Sequence, residues 1–350
     1  MVLRAGLPLK DMEFWQFHPT GIPGVGCLMT EGCRGEGGYL VNREGERFMT
    51  RYAPHALDLT SCDVVSRAIA QEIDAGRGCG ERGDHVLLKL DHLGEETIRT
   101  RLPGIRELAI RFAGVDPVET AVPVTPTVHY MMGGIPTNLH GQVVTPMRYG
   151  PEEAVPGLYA VGECACVSVH GANRLGGNSL LDLLVFARAA GEHMPEYLRD
   201  NPYPHPLPKS GPEPALARLA RWDKAEGSER VAAIRADMQG IMQNRCGVYR
   251  REDSLRQGIA ELTEVELRMA RAGLDDHSRV FNTARIEALE LENLLLIARA
   301  TWSAHWPARK VAGPMHVRIT QTATTTTGCG TPSTFAMGMR STQSRYDSNP

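Results

Sequence analysis

The sequence predicts an α/β portion followed by an all-α portion, and three observations carry that expectation. The first 200 residues are rich in glycine turns and short apolar runs, whereas residues from about 212 to 300 keep helical spacing throughout. Between them NPYPHPLPKSGPEP, Asn201 to Pro214, is too rich in proline to continue a helix and reads as a connection. A chain of 350 residues with 42% hydrophobic and 23% charged content is an ordinary globular composition, so disorder is not the default.

In the helical portion three apolar stripes recur at three- and four-residue intervals: Leu216, Leu219 and Ala220; Leu255, Ile259, Leu262 and Val265; Ile286, Leu289, Leu294 and Ile297. Asp253 or Ser254 is expected to cap the middle helix, and Asn282 or Thr283 the last. From Thr301 the character changes. Residues 301–350 contain no leucine and no glutamate but include TATTTTGCGTPST, an atypical end for a packed helical domain.

Composition excludes several classes. A formal net charge of −3 and the lack of a long basic run give no footprint for a nucleic-acid partner. No apolar stretch reaches the length of a membrane span; the longest, around Leu180 to Ala190, is broken by Asp182 and Arg188. Eight cysteines lack paired CxxC spacing, so no structural metal is expected and reduced thiols are. MVLRAGLPLKDMEF resembles neither a secretory signal nor a transit peptide.

Four motifs can carry chemistry. QFHPTG places His18 before a turn fixed by Pro19 and Gly21, where an isolated histidine is more often structural than a ligand contact. TEGCRGEGG sets Thr30 and Glu31 ahead of closely spaced glycines, a pattern equally suited to a tight loop and to close approach of a ligand. PTVHYMMGG puts His129 ahead of a Gly-Gly pair at a strand end. In PGLYAVGECACVSVHGANRLGGNSLLDLL, Leu158 to Val161 reads as a buried strand ending in Gly162 and Glu163. His170, Asn173 and Arg174 then precede an apolar helix opened by Leu180. A helix start behind glycines offers backbone N–H groups and a positive dipole end to a phosphate, a carboxylate or a reduced flavin ring. No GxGxxG turn stands between a first strand and its helix.

QFHPTG, LMTEGCRGEGGYLVNREGERF, RYAPHALDL, PTVHYMMGGIPTN, GLYAVGE and HGANRLGGNSLLDLLVF resemble, in this order, the succinate dehydrogenase and fumarate reductase flavoprotein family, over about Met1 to Ala300. The combination of GCRGEGG with RLGGNSLLDL favours succinate dehydrogenase over the related L-aspartate oxidase. The resemblance implies α/β plus α: a partial, Rossmann-like FAD-binding domain (1–13 and 129–200), an inserted α+β capping domain (14–128), a linker (201–214) and a helical domain (215–300). It implies that His18, Thr30, His129 and Arg174 bind the dicarboxylate, that Glu31 stands beside the proton route, and that Glu163, Ser179 and Leu180 touch FAD. The implied reaction is oxidation of succinate to fumarate, with electrons leaving through an iron–sulfur subunit and membrane-anchor subunits to quinone. That would place the chain at the cytoplasmic face of a bacterial inner membrane or the matrix face of the mitochondrial one. Fumarate reductase, running the same site in reverse, is the alternative.

Three departures qualify the resemblance. Cys62 in TSCDVVSR occupies the position of the family's proton-transfer arginine, and a thiol cannot replace a guanidinium that also binds carboxylate. Little or no turnover is therefore expected, which leaves a nonenzymatic remnant as a further alternative. The Gly-rich dinucleotide turn and, in many members, a flavin-attaching histidine would lie ahead of Met1, so weak FAD binding is expected. Finally, a shifted reading frame over Pro314 to Met339 contains HAREDYPDRDDDNW, which resembles the family's C-terminal portion; 301–350 is thus expected to be a frame-shifted tail.

Overall fold

The computed structural model describes residues 1–147, 152–203, 206, 208 and 210–305. The chain divides into two compact units, one formed by Trp15–Tyr130 and the other by Met1–Phe14 with the described residues from Met131 onward.

The Trp15–Tyr130 unit is built on a four-stranded sheet of order β1-β4-β3-β2, with β1 at Trp15–Gly21, β2 at Tyr39–Val41, β3 at Val86–Lys89 and β4 at Val122–Met131. Strands β2 and β3 pair antiparallel (Leu40 with Leu88), as do β3 and β4 (Leu87 with Pro123). Val122, Val124 and Pro126 of β4 alternate inward, the period-2 pattern of a strand with one face in the core. Its helices are α1 (Gly32–Gly35), α2 (Met49–Tyr52), α3 (Cys62–Asp74), α4 (Glu95–Arg101) and α5 (Pro103–Leu108). Val65, Ala68, Ile69 and Glu72 recur at helical spacing and give α3 its buried face. The three apolar residues join Leu40, Val86, Leu88, Val122 and Val124 in one core.

Glu72 enters that core fully covered, and burial alone would raise its pKa. Hydrogen bonds from Arg77 (2.7 Å), Asn42 (2.9 Å), Tyr52 (2.7 Å) and Arg51 (2.6 Å) outweigh burial and hold the carboxyl well below its usual range. The glycines after α1 serve the chain itself: a Cβ on Gly38 would stand 2.7 Å from Cys33 O and 2.6 Å from Leu90, where the turn folds back on its own backbone.

In the other unit the N-terminal segment is laid against the stretch after β4: Lys10 and Gly134 exchange backbone hydrogen bonds at 2.9 Å, and Met132 N–H donates to Phe14 O at 3.0 Å. Short strands follow, β5 (Ile135–Pro136) parallel to β8 (Ala165–Cys166), and β6 (Gln142–Thr145) antiparallel to β7 (Glu153–Tyr159). The buried strand expected at Leu158 to Val161 is instead the end of β7, where Leu158 and Tyr159 are only half-buried in a two-stranded sheet. Helix α6 runs from Asn178 to Asp200, starting two residues ahead of Leu180.

Four helices follow: α7 (Glu213–Asp223), α8 (Val231–Arg245), α9 (Glu252–Ala270) and α10 (Thr283–His305); β9 (Glu229–Arg230) and β10 (Ala272–Gly273) form a small parallel pair beside them. Asn282 caps α10 as expected, its Oδ1 accepting Arg285 N–H at 2.7 Å. Neither Asp253 nor Ser254 caps α9. That helix begins at Glu252, and the Ser254 hydroxyl donates to Arg245 O instead.

All three apolar stripes need correction, the middle one at Ile259, which is exposed. Leu216 and Leu219 are exposed, and α7 is anchored by Trp222, whose indole N–H donates to Glu292 at 2.9 Å. The buried face of α10 is Ala288, Leu291, Leu295, Ala298 and Trp302, while Ile286 and Leu294 face outward. Helix α10 crosses the boundary placed at 301 and continues to His305; the remaining tail and its shifted reading lie outside the described residues.

Trp302 packs over Gly258 of α9, where a Cβ would come within 2.2 Å of the indole. Gly258→Ala should therefore lower stability by about 1–3 kcal/mol through overpacking. This reverses the gain of about 1 kcal/mol that alanine brings to an open helix interior. Urea unfolding followed by helical circular dichroism reads the sign.

Candidate active site

In the Trp15–Tyr130 unit, β1 carries His18 and its sheet neighbour β4 carries His129. Their rings meet edge to face at 5.4 Å between centroids. The backbone N–H of Thr20 donates to His18 Nδ1 at 3.3 Å, which leaves the ring proton on Nε2. Burial, then the neighbouring charges of His129 and Arg34, lower the His18 pKa to about 4, so at neutral pH it is an uncharged imidazole with one N–H to donate. The Thr20 hydroxyl donates to Met29 O at 2.6 Å and ties β1 to the turn that follows Met29.

That turn presents Thr30 and Glu31 to solvent, and Thr30 Oγ1 accepts Gly32 N–H at 3.4 Å at the opening of α1. Arg34, inside α1, is fully covered: its Nη2 lies 3.9 Å from Glu31 Oε1, one guanidinium N–H donates to Asp58 O, and its Nε has no hydrogen-bond partner. Asp58 is held in place, its carboxylate accepting Leu40 N–H at 2.8 Å and Arg47 at 2.9 Å.

Cys62, the first residue of α3, meets this group. Its S–H donates toward Glu31 Oε2 at 4.0 Å, and Arg34 Nη2 donates to Sγ at 3.9 Å. Burial and then the Glu31 charge raise the thiol pKa, against the lowering effect of Arg34, so the thiol is protonated at neutral pH. Arg34 was not singled out from sequence. The available signal was a lone arginine inside the glycine turn GCRGEGG, a long cation with little room to reach outward.

In the other unit, Arg174 Nη1 donates to Ser179 Oγ at 3.0 Å, next to the start of α6. Glu163, on the turn after β7, accepts Met131 N–H at 3.3 Å. His170 meets Asp182 at 3.2 Å, and Asp182 is buried although it interrupts an apolar run. Leu180 is exposed, as are Leu175, Leu181 and Leu184. Gly177 at the N-cap of α6 supplies no side-chain acceptor for the helix start. The site residues thus fall into two groups: His18, Thr30, Glu31, Cys62 and His129 in one unit, and Glu163, Arg174, Ser179 and Leu180 in the other.

The FAD binding domain family matches residues 1–180, and the fumarate reductase flavoprotein C-terminal family matches residues 235–307. A succinate dehydrogenase flavoprotein subunit of Coxiella burnetii is 57% identical over 301 residues, covering 86% of this chain. The chain belongs to the succinate dehydrogenase and fumarate reductase flavoprotein family. The mitochondrial succinate dehydrogenase flavoprotein subunit of Oryza sativa subsp. japonica is 52% identical over 91% of this chain. A solved E. coli quinol fumarate reductase superposes with a TM-score of 0.76 at 40% identity, over 87% of this chain and 53% of that one. The chain spans about half the length of the relatives it matches, 51% of the Coxiella protein and 50% of the Oryza protein. The mixed α/β part therefore includes an FAD-binding domain, and a C-terminal helical domain follows it, as in the flavoproteins of this family.

FAD is the cofactor of the family, and the chemistry of the α6 start fits it. A helix N-terminus without a capping side chain favours negative charge, and exposed leucines beside it offer an apolar surface to a flat ring.

Proposed function

We propose that this chain is the dicarboxylate-binding part of a succinate dehydrogenase flavoprotein subunit, acting in oxidation of succinate to fumarate. The observation that carries the proposal is the meeting of His18 and His129 across neighbouring strands, in the same unit as the contacting group Arg34, Glu31 and Cys62. That unit is the capping domain in this proposal. His18 and His129 donate N–H bonds to a substrate carboxylate with Thr30, and Arg174 is a carboxylate-binding residue through the planar fork of its guanidinium. Glu31 stands beside the proton route. Glu163, Ser179 and Leu180 border the flavin. FAD, when bound, supplies the acceptor for a hydride from the substrate.

The relatives are flavoprotein subunits of succinate dehydrogenase, which favours succinate oxidation; an iron–sulfur subunit would receive the electrons and membrane-anchor subunits would pass them to quinone. No helix among the described residues is long and apolar enough to cross a membrane. Membrane association at the cytoplasmic or matrix face would then come through those partners. The E. coli likeness supports fumarate reduction as the second direction of the same site.

Binding tests this directly. Succinate and its non-reacting analogue malonate should bind in isothermal titration. Arg174→Gln and His129→Ala should each weaken binding by about tenfold or more, the loss expected for a hydrogen bond to a charged group. Equal affinity of wild type and both variants would exclude the proposed site.

A further inference from the structure

Helix α6 is apolar nearly all round at its start, LLDLLVF, yet only one of its faces is covered. On that face Asp182 and Ala190 are buried, Phe186, Ala189, His193 and Tyr197 are half-buried, and the Tyr159 hydroxyl of β7 meets His193 Nδ1 at 2.8 Å. A second stripe stays open. Leu180, Leu184, Ala187, Gly191, Met194 and Leu198 recur in alternating steps of four and three residues, and all are exposed, Leu184 at 71% and Leu198 at 61%. That spacing is the seam of a helix that packs on a neighbour. The charges beside it cancel along the helix, Arg188 with Glu192 at 2.7 Å and Arg199 with Glu196 at 3.9 Å, so the stripe suits an apolar occupant.

Two observations identify the occupant. The FAD binding domain family takes in the start of α6, but the described strands of the same unit pair only in twos, β5 with β8, β6 with β7 and β9 with β10. A dinucleotide-binding domain needs an extended parallel sheet with helices packed on its faces. The chain also spans 51% of its Coxiella relative, so about as much chain again lies outside the match. An uncovered helix seam and a domain short of its sheet are complementary. Gly191, in the middle of the seam, has nothing within 4 Å of where a Cβ would stand, which leaves room for close approach. We propose that the Leu184–Leu198 stripe of α6 is the docking surface for the part of the flavoprotein that this chain does not span, an apolar parallel sheet carrying the Gly-rich dinucleotide turn. The two parts assemble even as separate polypeptides, and the assembled pair holds FAD.

The test co-expresses the full chain with a tagged polypeptide made of the part of the Coxiella burnetii relative that the chain does not span, so that neither part has to fold alone. The chain should co-purify in a complex with one copy of each part and bound FAD, read by light scattering and flavin absorbance. Leu198→Glu should cut the co-purified chain by about tenfold or more, because docking would bury an unpaired carboxylate. Gly191→Leu should do the same by filling the seam. Leucine favours a helix more than glycine does, so the free Gly191→Leu chain should keep its circular dichroism and urea midpoint. Leu216→Glu, exposed on α7 outside the stripe, should leave assembly unchanged.

Failure to co-purify overturns the docking, as does a complex that the two stripe variants affect no more than Leu216→Glu does. Self-association of the chain alone, abolished by Leu198→Glu and Gly191→Leu, would assign the stripe to a second copy instead. A complex that is sensitive to both stripe variants but carries no FAD keeps the docking and refutes the shared flavin site. Succinate takes no part in these readouts, so failure of the dicarboxylate site would leave them unchanged.

Discussion

Cys62→Arg should raise succinate-dependent dye reduction by about 10²–10⁴-fold, the span that a positioned proton-transfer group contributes. The assay uses the chain completed with the part of the Coxiella burnetii relative that it does not span, so that wild type and variant differ only at residue 62. The local structure favours the exchange. An arginine at the start of α3 finds Glu31 within reach of the present sulfur, at 4.0 Å from Sγ, and that carboxylate offsets repulsion from Arg34 at 3.9 Å. The thiol is neutral at neutral pH because burial and Glu31 raise its pKa, so it supplies neither the charge nor the fork geometry that a bound carboxylate requires. Equal turnover in the two proteins would show that proton transfer does not run through residue 62. Turnover lost in both would place the defect elsewhere.

Trp302→Ala should destabilise the helical portion by about 3–5 kcal/mol, the cost of removing a large buried aromatic and leaving a cavity. Trp302 is 2% exposed, sits in one core with Leu255, Leu262, Leu295 and Ala298, and its indole N–H contacts Met242 sulfur at 3.0 Å. The same cavity should reduce the cost of a second substitution. Gly258→Ala, costly beneath the indole, should cost less once the ring is gone, because helix propensity then opposes only the 2.8 Å approach to Arg245 Cβ. Urea unfolding of the two single variants and the double variant closes the cycle. Additive effects would mean that Gly258 and Trp302 do not share that space.

Glycine turns, the proline-rich connector and helical spacing divided the chain into an α/β and an all-α part, and the ordered motifs identified its family. These features are local, or survive as short strings, so one dimension carries them. The Asn282 cap belongs with them, since an Asx cap involves only the next turn of helix.

Tertiary packing decided the rest. Ile286, Leu289, Leu294 and Ile297 share a helical period with Ala288, Leu291, Leu295 and Ala298, and period alone does not say which stripe meets a neighbour. The packing of α8 and α9 selects the second, with Leu289 of the first packed at its edge. Trp302 looked like the start of an odd tail until it had Gly258 beneath it. His18 and His129 lie far apart in sequence and meet because their strands are neighbours in the sheet. Arg34 read as one more turn residue; only the folded unit buries it and brings it against a thiol contributed by α3. Apart from Arg34, the residues at the proposed reaction centre were therefore named by sequence, but their contacts depend on burial, which neighbours distant along the chain create.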